Sequence, residues 1–131
     1  LSYVKGDENE TYGPMPSISP IFGTISGEYT KDKIKISALY KFSGDKSPKD
    51  YSLGGEDGLE ETPVITTNSN GIIYAGTPKW SDFSIYTNYD ISEDVKIRIA
   101  LTNIFDNHYR TFASGISAPG RSFQIGLYLK L

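Results

Sequence analysis

The chain has 131 residues, 37% of them hydrophobic and 22% charged, with 13 Lys/Arg against 16 Asp/Glu and a formal net charge of −3. That length suits one domain, and the mildly acidic balance leaves no basic stripe to neutralise phosphates, which argues against nucleic acid as a partner. Cysteine is absent and histidine occurs once, so disulfide frameworks, thiolate metal sites, His-rich centres and most His-based triads are excluded.

Ten Tyr and thirteen Gly beside one Met and one Trp favour strands and turns over helices. Residues 1–4 read as the tail of a strand running into a polar loop over 6–12. With no initiator Met, charged n-region or apolar h-region, the chain is expected to be a mature form or a C-terminal piece of something longer. Residues 21–29 form a weak alternating strand, with Ile21, Ile25 and Tyr29 opposed by Thr24, Ser26 and Glu28. The run TKDK at 30–33 makes a tight polar turn into 34–42. There Ile34, Ile36, Ala38, Tyr40 and Phe42 lie opposite Lys33, Lys35, Ser37, Leu39 and Lys41. A long link follows, up to Trp80. Over 83–91 the alternation sets Phe83, Ile85, Thr87, Tyr89 and Ile91 against Asp82, Ser84, Tyr86, Asn88 and Asp90. After the short turn SED at 92–94, Val95, Ile97, Ile99 and Leu101 oppose Lys96, Arg98, Ala100 and Thr102. A second long link runs from Phe105 to Arg121. The last strand, 123–131, is the cleanest, with Phe123, Ile125, Leu127, Leu129 and Leu131 on one side.

These are about six antiparallel up-and-down strands in an all-β chain, with short turns on one side and long loops on the other. Compact soluble domains seldom carry a long structureless loop, whereas outer-membrane barrels alternate short turns with long loops in this way. The strand lengths also suit a tilted crossing of the hydrocarbon layer. A mean hydropathy of −0.36 with no long apolar run excludes a transmembrane helix, but a barrel strand is apolar on one side only. Six strands are too few for a single-chain barrel, which starts at about eight. The segment is therefore expected to belong to a larger transmembrane β-barrel.

The second link has its own logic. Asp106 and Asn107 are turn formers that would end an ascending strand. Phe105 and Tyr109 suit the interfacial belt, where a ring meets apolar tails. Pro119 and Gly120 fix where the last strand begins, and Arg121 is in reach of lipid phosphate or a lumenal carboxylate. Strict alternation puts Asn103 on the lipid face beside Leu101 and Phe105, unless it lies at headgroup level or a bulge flips the register. The order of these residues, NIFDNHYR at 103–110, APGR at 118–121 and then a final alternating strand, resembles the C-terminal end of TonB-dependent outer-membrane receptors. In that family the penultimate strand ends in an Asn–apolar–Phe–Asp–x–x–Tyr run, matched here by Asn103, Phe105, Asp106 and Tyr109. A Pro-Gly-Arg then opens the last strand, matched by Pro119, Gly120 and Arg121. Upstream, MPSISP at 15–20 resembles a Pro-rich lead-in to a strand, and DYSLGGEDGLEETP at 50–63 an extracellular loop of the smaller-ligand members. The ending QIGLYLKL resembles the barrel-assembly signal through Gln124, Gly126, Leu129 and Leu131, although the family more often ends in Phe.

Chemistry is sparse. The first long link carries Asp45, Asp50, Glu56, Asp57, Glu60 and Glu61. A carboxylate run at 54–61 could hold a hard cation, yet it lacks the spacing of a calcium loop, and a solvated loop is the simpler reading. His108 could ligate haem or a metal at the rim, and Tyr109 and Arg110 could touch a chelated ligand, against the plainer reading of exposed rim residues. Gly54-Gly55 has no following lysine and helix to cradle phosphate. No catalysis, cofactor or metal is expected, and the ligand-facing candidates are His108, Tyr109, Arg110, Glu56 and Asp57.

The resemblance implies that residues 1–131 form a single C-terminal barrel segment, without a plug domain, of a receptor for active uptake. The cargo class would be an iron chelate, haem or cobalamin. Its implied partners are outer-membrane lipid, the remaining strands and plug of the same receptor, the barrel-assembly machinery, and the TonB complex through the missing N-terminal part. The implied location is the outer membrane of a Gram-negative bacterium. Two alternatives stay open at this point: a soluble small β-barrel around a lipophilic ligand, and a passive porin or adhesin segment.

Overall fold

The structure, a computed structural model, describes residues 1–4, 6, 13–69 and 71–130. Its strands are β1 (Phe22–Lys31), β2 (Ile34–Ser43), β3 (Val64–Asn68), β4 (Gly71–Tyr74), β5 (Trp80–Asp90), β6 (Val95–Thr102) and β7 (Ser122–Leu129). A five-stranded sheet runs in the order β1-β2-β5-β6-β7, and β3 and β4 form a separate two-stranded sheet. The expected all-β, antiparallel, up-and-down architecture is present. Asp32, in the left-handed region at φ +49°, turns β1 into β2. Ile91 and Ser92 both donate their N–H to Val95 O, at 2.9 and 3.2 Å, to close the turn between β5 and β6.

Three expectations change. Residues 1–4 are not a strand tail; Ser2 alone bridges to Phe22, exchanging hydrogen bonds of 2.8 and 3.1 Å. The first long link is not structureless, since it holds 3-10 turns at Pro48–Asp50 and Leu59–Glu61 and the β3–β4 hairpin. The described strands therefore number seven, not about six. The hairpin is built from short β-branched runs, VITTN and GIIY, too brief to show a clear period of two. The polar loop expected over 6–12 lies, Gly6 apart, outside the described residues.

The chain divides into two compact units. One, the loop unit, comprises Leu1–Gly23, Phe42–Trp80 and His108–Ala118; the other, the sheet unit, comprises Thr24–Lys41, Ser81–Asn107 and Pro119–Leu131. Among the described residues the buried hydrophobics are Tyr51 and Ala100, whereas Ser43, Lys46, Asp57, Thr77, Ser84 and Asn103 are buried polar groups. This inverts the usual order, in which apolar side chains fill the interior.

In the sheet unit, register decides which side chains share a face, because directly opposed residues of antiparallel strands point the same way. Across β5, β6 and β7 the triples are Ile85–Leu101–Phe123, Thr87–Ile99–Ile125 and Tyr89–Ile97–Leu127, with Val95 opposite Leu129. Every apolar row therefore falls on one side. The other side carries Tyr86–Ala100–Gln124, Asn88–Arg98–Gly126 and Asp90–Lys96–Tyr128. On β7 the apolar side is exposed, Phe123, Ile125, Leu127 and Leu129 being 66, 68, 62 and 62% accessible, and Gln124 and Tyr128 on the other side are exposed as well. Polar contacts tie the opposite side together: Lys96 Nζ lies 3.2 Å from Asp90, and the Arg98 guanidinium 5.7 Å from the Tyr86 ring centre. On the neighbouring strands Lys35 pairs with Glu28 at 2.9 Å. Such solvent-exposed pairs add little stability, but they fix which side is hydrophilic.

Candidate functional site

The family-like motif residues form the joint between β6 and β7. The Thr102 and Ser122 hydroxyls meet at 2.8 Å where the ladder ends. Asn103 then takes φ +47°, a left-handed conformation that Asn tolerates better than most residues. This rotation carries its side chain off the alternating face and into the interior, where Asn103 is 2% exposed. Its Nδ2 donates to the carbonyls of Asn107 (2.9 Å) and Pro119 (3.0 Å), its Oδ1 accepts the Asn107 N–H (3.0 Å), and its own N–H donates to Ser84 Oγ (3.2 Å). The misfit that strict alternation gives Asn103, beside Leu101 and Phe105, resolves here because the strand has already ended at Thr102. Asp106, at φ +55°, accepts the Arg121 N–H at 2.8 Å, and its carboxylate lies 3.9 Å from the Arg121 guanidinium. A Cβ on Gly120 would stand 3.0 Å from Asp106 Oδ1, a tight approach that the carboxylate would have to relieve by a small shift. Asn107 Nδ2 donates to Ser81 O at 2.8 Å. Phe105 stays exposed, its ring stacked on Phe83 with centroids 6.0 Å apart.

On β7, Gln124 opposes Ala100 and Gly126 opposes Arg98 on the polar side, while Leu129 opposes Val95 on the apolar side. The Tyr128 ring lies across the space left by Gly126, 3.3 Å from where a Cβ would sit. Leu131 lies outside the described residues.

The loop unit is organised by a buried ion pair. Lys46 Nζ donates to Asp57 Oδ2 (2.9 Å) and to Ile18 O (2.7 Å), with side-chain exposures of 5% for Lys46 and 1% for Asp57. The rings of Phe112 and Tyr51 cover the ammonium, with centroids 4.2 and 4.9 Å away. The remaining acceptor capacity of Asp57 is used by the N–H groups of Ser17 (2.6 Å) and Ser52 (3.3 Å). Burial alone would raise the Asp57 pKa, but the Lys46 hydrogen bond, the two backbone N–H groups and the Lys46 charge together hold it below the ordinary carboxylate value. Burial pushes the Tyr51 phenol up, against its hydrogen bond with Thr77. Gly76, at φ +77°, passes so close to Lys46 that a Cβ there would run into the Lys46 carbonyl oxygen. Asp57 is thus an internal structural group, not a solvated loop carboxylate. Glu56 remains exposed and accepts from its near neighbour Ser52 Oγ at 2.9 Å.

The other ligand-facing candidates do come together. His108, Tyr109 and Arg110 line a cavity of about 330 Å³ with Glu61, Lys79 and Thr111. Arg110 is held in place by donating Nη1 to Glu61 O (3.1 Å) and Nε to Ser117 Oγ (3.2 Å). Tyr109 stacks on Trp80 with ring centroids 4.2 Å apart and planes 15° from parallel. The Trp80 indole N–H is buried and has no hydrogen-bond partner among the described residues. Two cations, hydroxyls and one carboxylate share this lining with the apolar surfaces of Pro63, Pro78 and Ala113, so the cavity is mixed in character. Among the described residues no group of three His, Asp or Glu could hold a metal ion. Sequence reasoning missed Lys46, Tyr51, Thr77 and Phe112, which lie far apart in the chain and share no spacing that would signal their meeting.

No family model matches the chain, nor does any curated protein or solved structure. No helix among the described residues is long and apolar enough to cross a membrane, which says nothing of crossing by strands.

Proposed function

We propose that the chain is a C-terminal barrel segment of a TonB-dependent outer-membrane receptor for a scarce nutrient of the iron-chelate, haem or cobalamin class. One observation carries the reading: the register gathers the apolar rows of β5, β6 and β7 onto one continuous face, exposed on β7, and sets charged and amide side chains opposite. Large exposed apolar faces are rare on monomeric soluble proteins, and in a wide barrel they meet acyl chains while the polar side lines the lumen. Strands of 8–11 residues in the five-stranded sheet fit tilted crossings of the bilayer. In this reading the sheet's remaining neighbours are the other strands of the barrel. The plug and the energy-coupling TonB complex act through the missing N-terminal part, and the Gln124–Gly126–Leu129 strand serves the assembly machinery. The His108–Tyr109–Arg110 cavity is then one of the ligand-facing surfaces.

Two adjacent residues on opposite faces of β7 test it. Ile125→Lys puts a charge on the apolar face and is expected to cost about 2–4 kcal/mol and to deplete the chain from the outer-membrane fraction, while Gln124→Lys leaves it there. Equal membrane assembly of both variants, or a monodisperse soluble chain without detergent, would sink the proposal.

A further inference from the structure

We infer that the Lys46–Asp57 pair is a single latch that holds three separate stretches of the loop unit shut together, so that they open as one body rather than as independent loops. The stretches are the lead-in to β1, the first long link and the second long link. The lead-in contributes Ser17 N–H to Asp57 and Ile18 O to Lys46. The first link supplies both charges, together with Tyr51 and Ser52. The second link supplies the Phe112 ring, which covers the ammonium and meets the Tyr51 ring edge-on with centroids 6.0 Å apart.

The coupling follows from solvation. Both charges are almost fully buried while all three stretches stay in place, and each stretch supplies a group that touches the pair. Lifting any one of them exposes an ammonium or a carboxylate to partial solvent, weakens the remaining hydrogen bonds and lowers the cost of lifting the next. A hydrophobic cluster of the same size would loosen gradually, whereas a buried pair stripped of one partner leaves a bare charge inside. The loop unit has little apolar interior with which to resist this, Tyr51 being its one buried hydrophobic residue among those described. The inference stands whether or not the chain lies in a membrane.

Hydrogen exchange on the intact chain reads it directly. The amides of Ser17 and Ser52 touch Asp57, while those of Ser114 and Ala118 bond to Thr111 O and Tyr109 O in the second link, away from both charges. Asp57→Asn is expected to speed exchange about a hundredfold at all four, with Ile104, bonded to Phe83 O in the sheet unit, unchanged. The double variant Lys46→Met with Asp57→Asn should recover at least about tenfold of that protection, since no charge is left buried. Acceleration confined to Ser17 and Ser52, or a double variant whose effect is the sum of the singles, would overturn the latch. If Asp57→Asn also releases Ile104, Phe112→Leu replaces it. That variant leaves the ion pair intact and should still speed Ser17 about tenfold, and no change at Ser17 would overturn the inference.

Discussion

Asn103 shows how much one backbone rotation decides. In an alternating reading it is a polar residue stranded on an apolar row, and the conflict signals that something intervenes. The structure supplies the reason: at φ +47° the residue leaves the strand and its amide satisfies two carbonyls and one N–H. Asn103→Ala would leave these groups unpaired in a buried place and is expected to cost about 3 kcal/mol, measured by denaturant unfolding in detergent. Asn103→Gly should not recover that loss, because it relieves the left-handed backbone but restores none of the bonds. An Asn103→Gly variant as stable as the parent would show that the conformation, not the amide, matters. Period-two reasoning could flag Asn103 as anomalous; it could not foresee which partners would resolve the anomaly, because Pro119 is remote in sequence.

At the scale of elements, the strands of the main sheet were legible and the hairpin was not. Alternation over 34–42, 83–91 and 95–101 marks faces directly, because side chains on a strand repeat every two residues. β3 and β4 offered five and four residues in a link dense with Gly, Asp and Glu, where no period can establish itself. The joint between β6 and β7 sets where β7 starts, and hence which of its faces is apolar. Inserting one residue between Gly120 and Arg121 should shift the register and turn Phe123, Ile125, Leu127 and Leu129 to the polar side. On the proposed barrel reading, assembly should then fail, whereas the same insertion among residues 111–117 should be tolerated. Protease protection of the strands in membranes would compare the two, and equal protection would mean that the joint does not set the register.

The molecule as a whole joins two kinds of stability. The sheet unit depends on strand pairing and on whatever covers its apolar face; the loop unit has a buried ion pair at its centre, beside the β3–β4 hairpin and the Trp80–Tyr109 stack. The ion pair was invisible in the sequence, where Asp57 looked like any acid of a solvated loop and Lys46 like any surface lysine. Its pH dependence follows from the sign of the shift. Since the folded Asp57 pKa is lowered, its contribution is complete above the unfolded value, near pH 4, and is lost as pH falls through the lower folded value. Once Asp57 is neutralised, the buried Lys46 side chain is left without its counter-charge, with the Tyr51 phenol beside it. Acidification is expected to open the loop unit while the sheet unit's strand signal in circular dichroism persists, and simultaneous loss of both would contradict this. The sole tryptophan makes the two processes separable. Trp80 belongs to the loop unit and lies flat on Tyr109, so its emission is a private optical channel for that half of the chain. No label, and no second chromophore of its kind, stands between the experimenter and the opening of the loops.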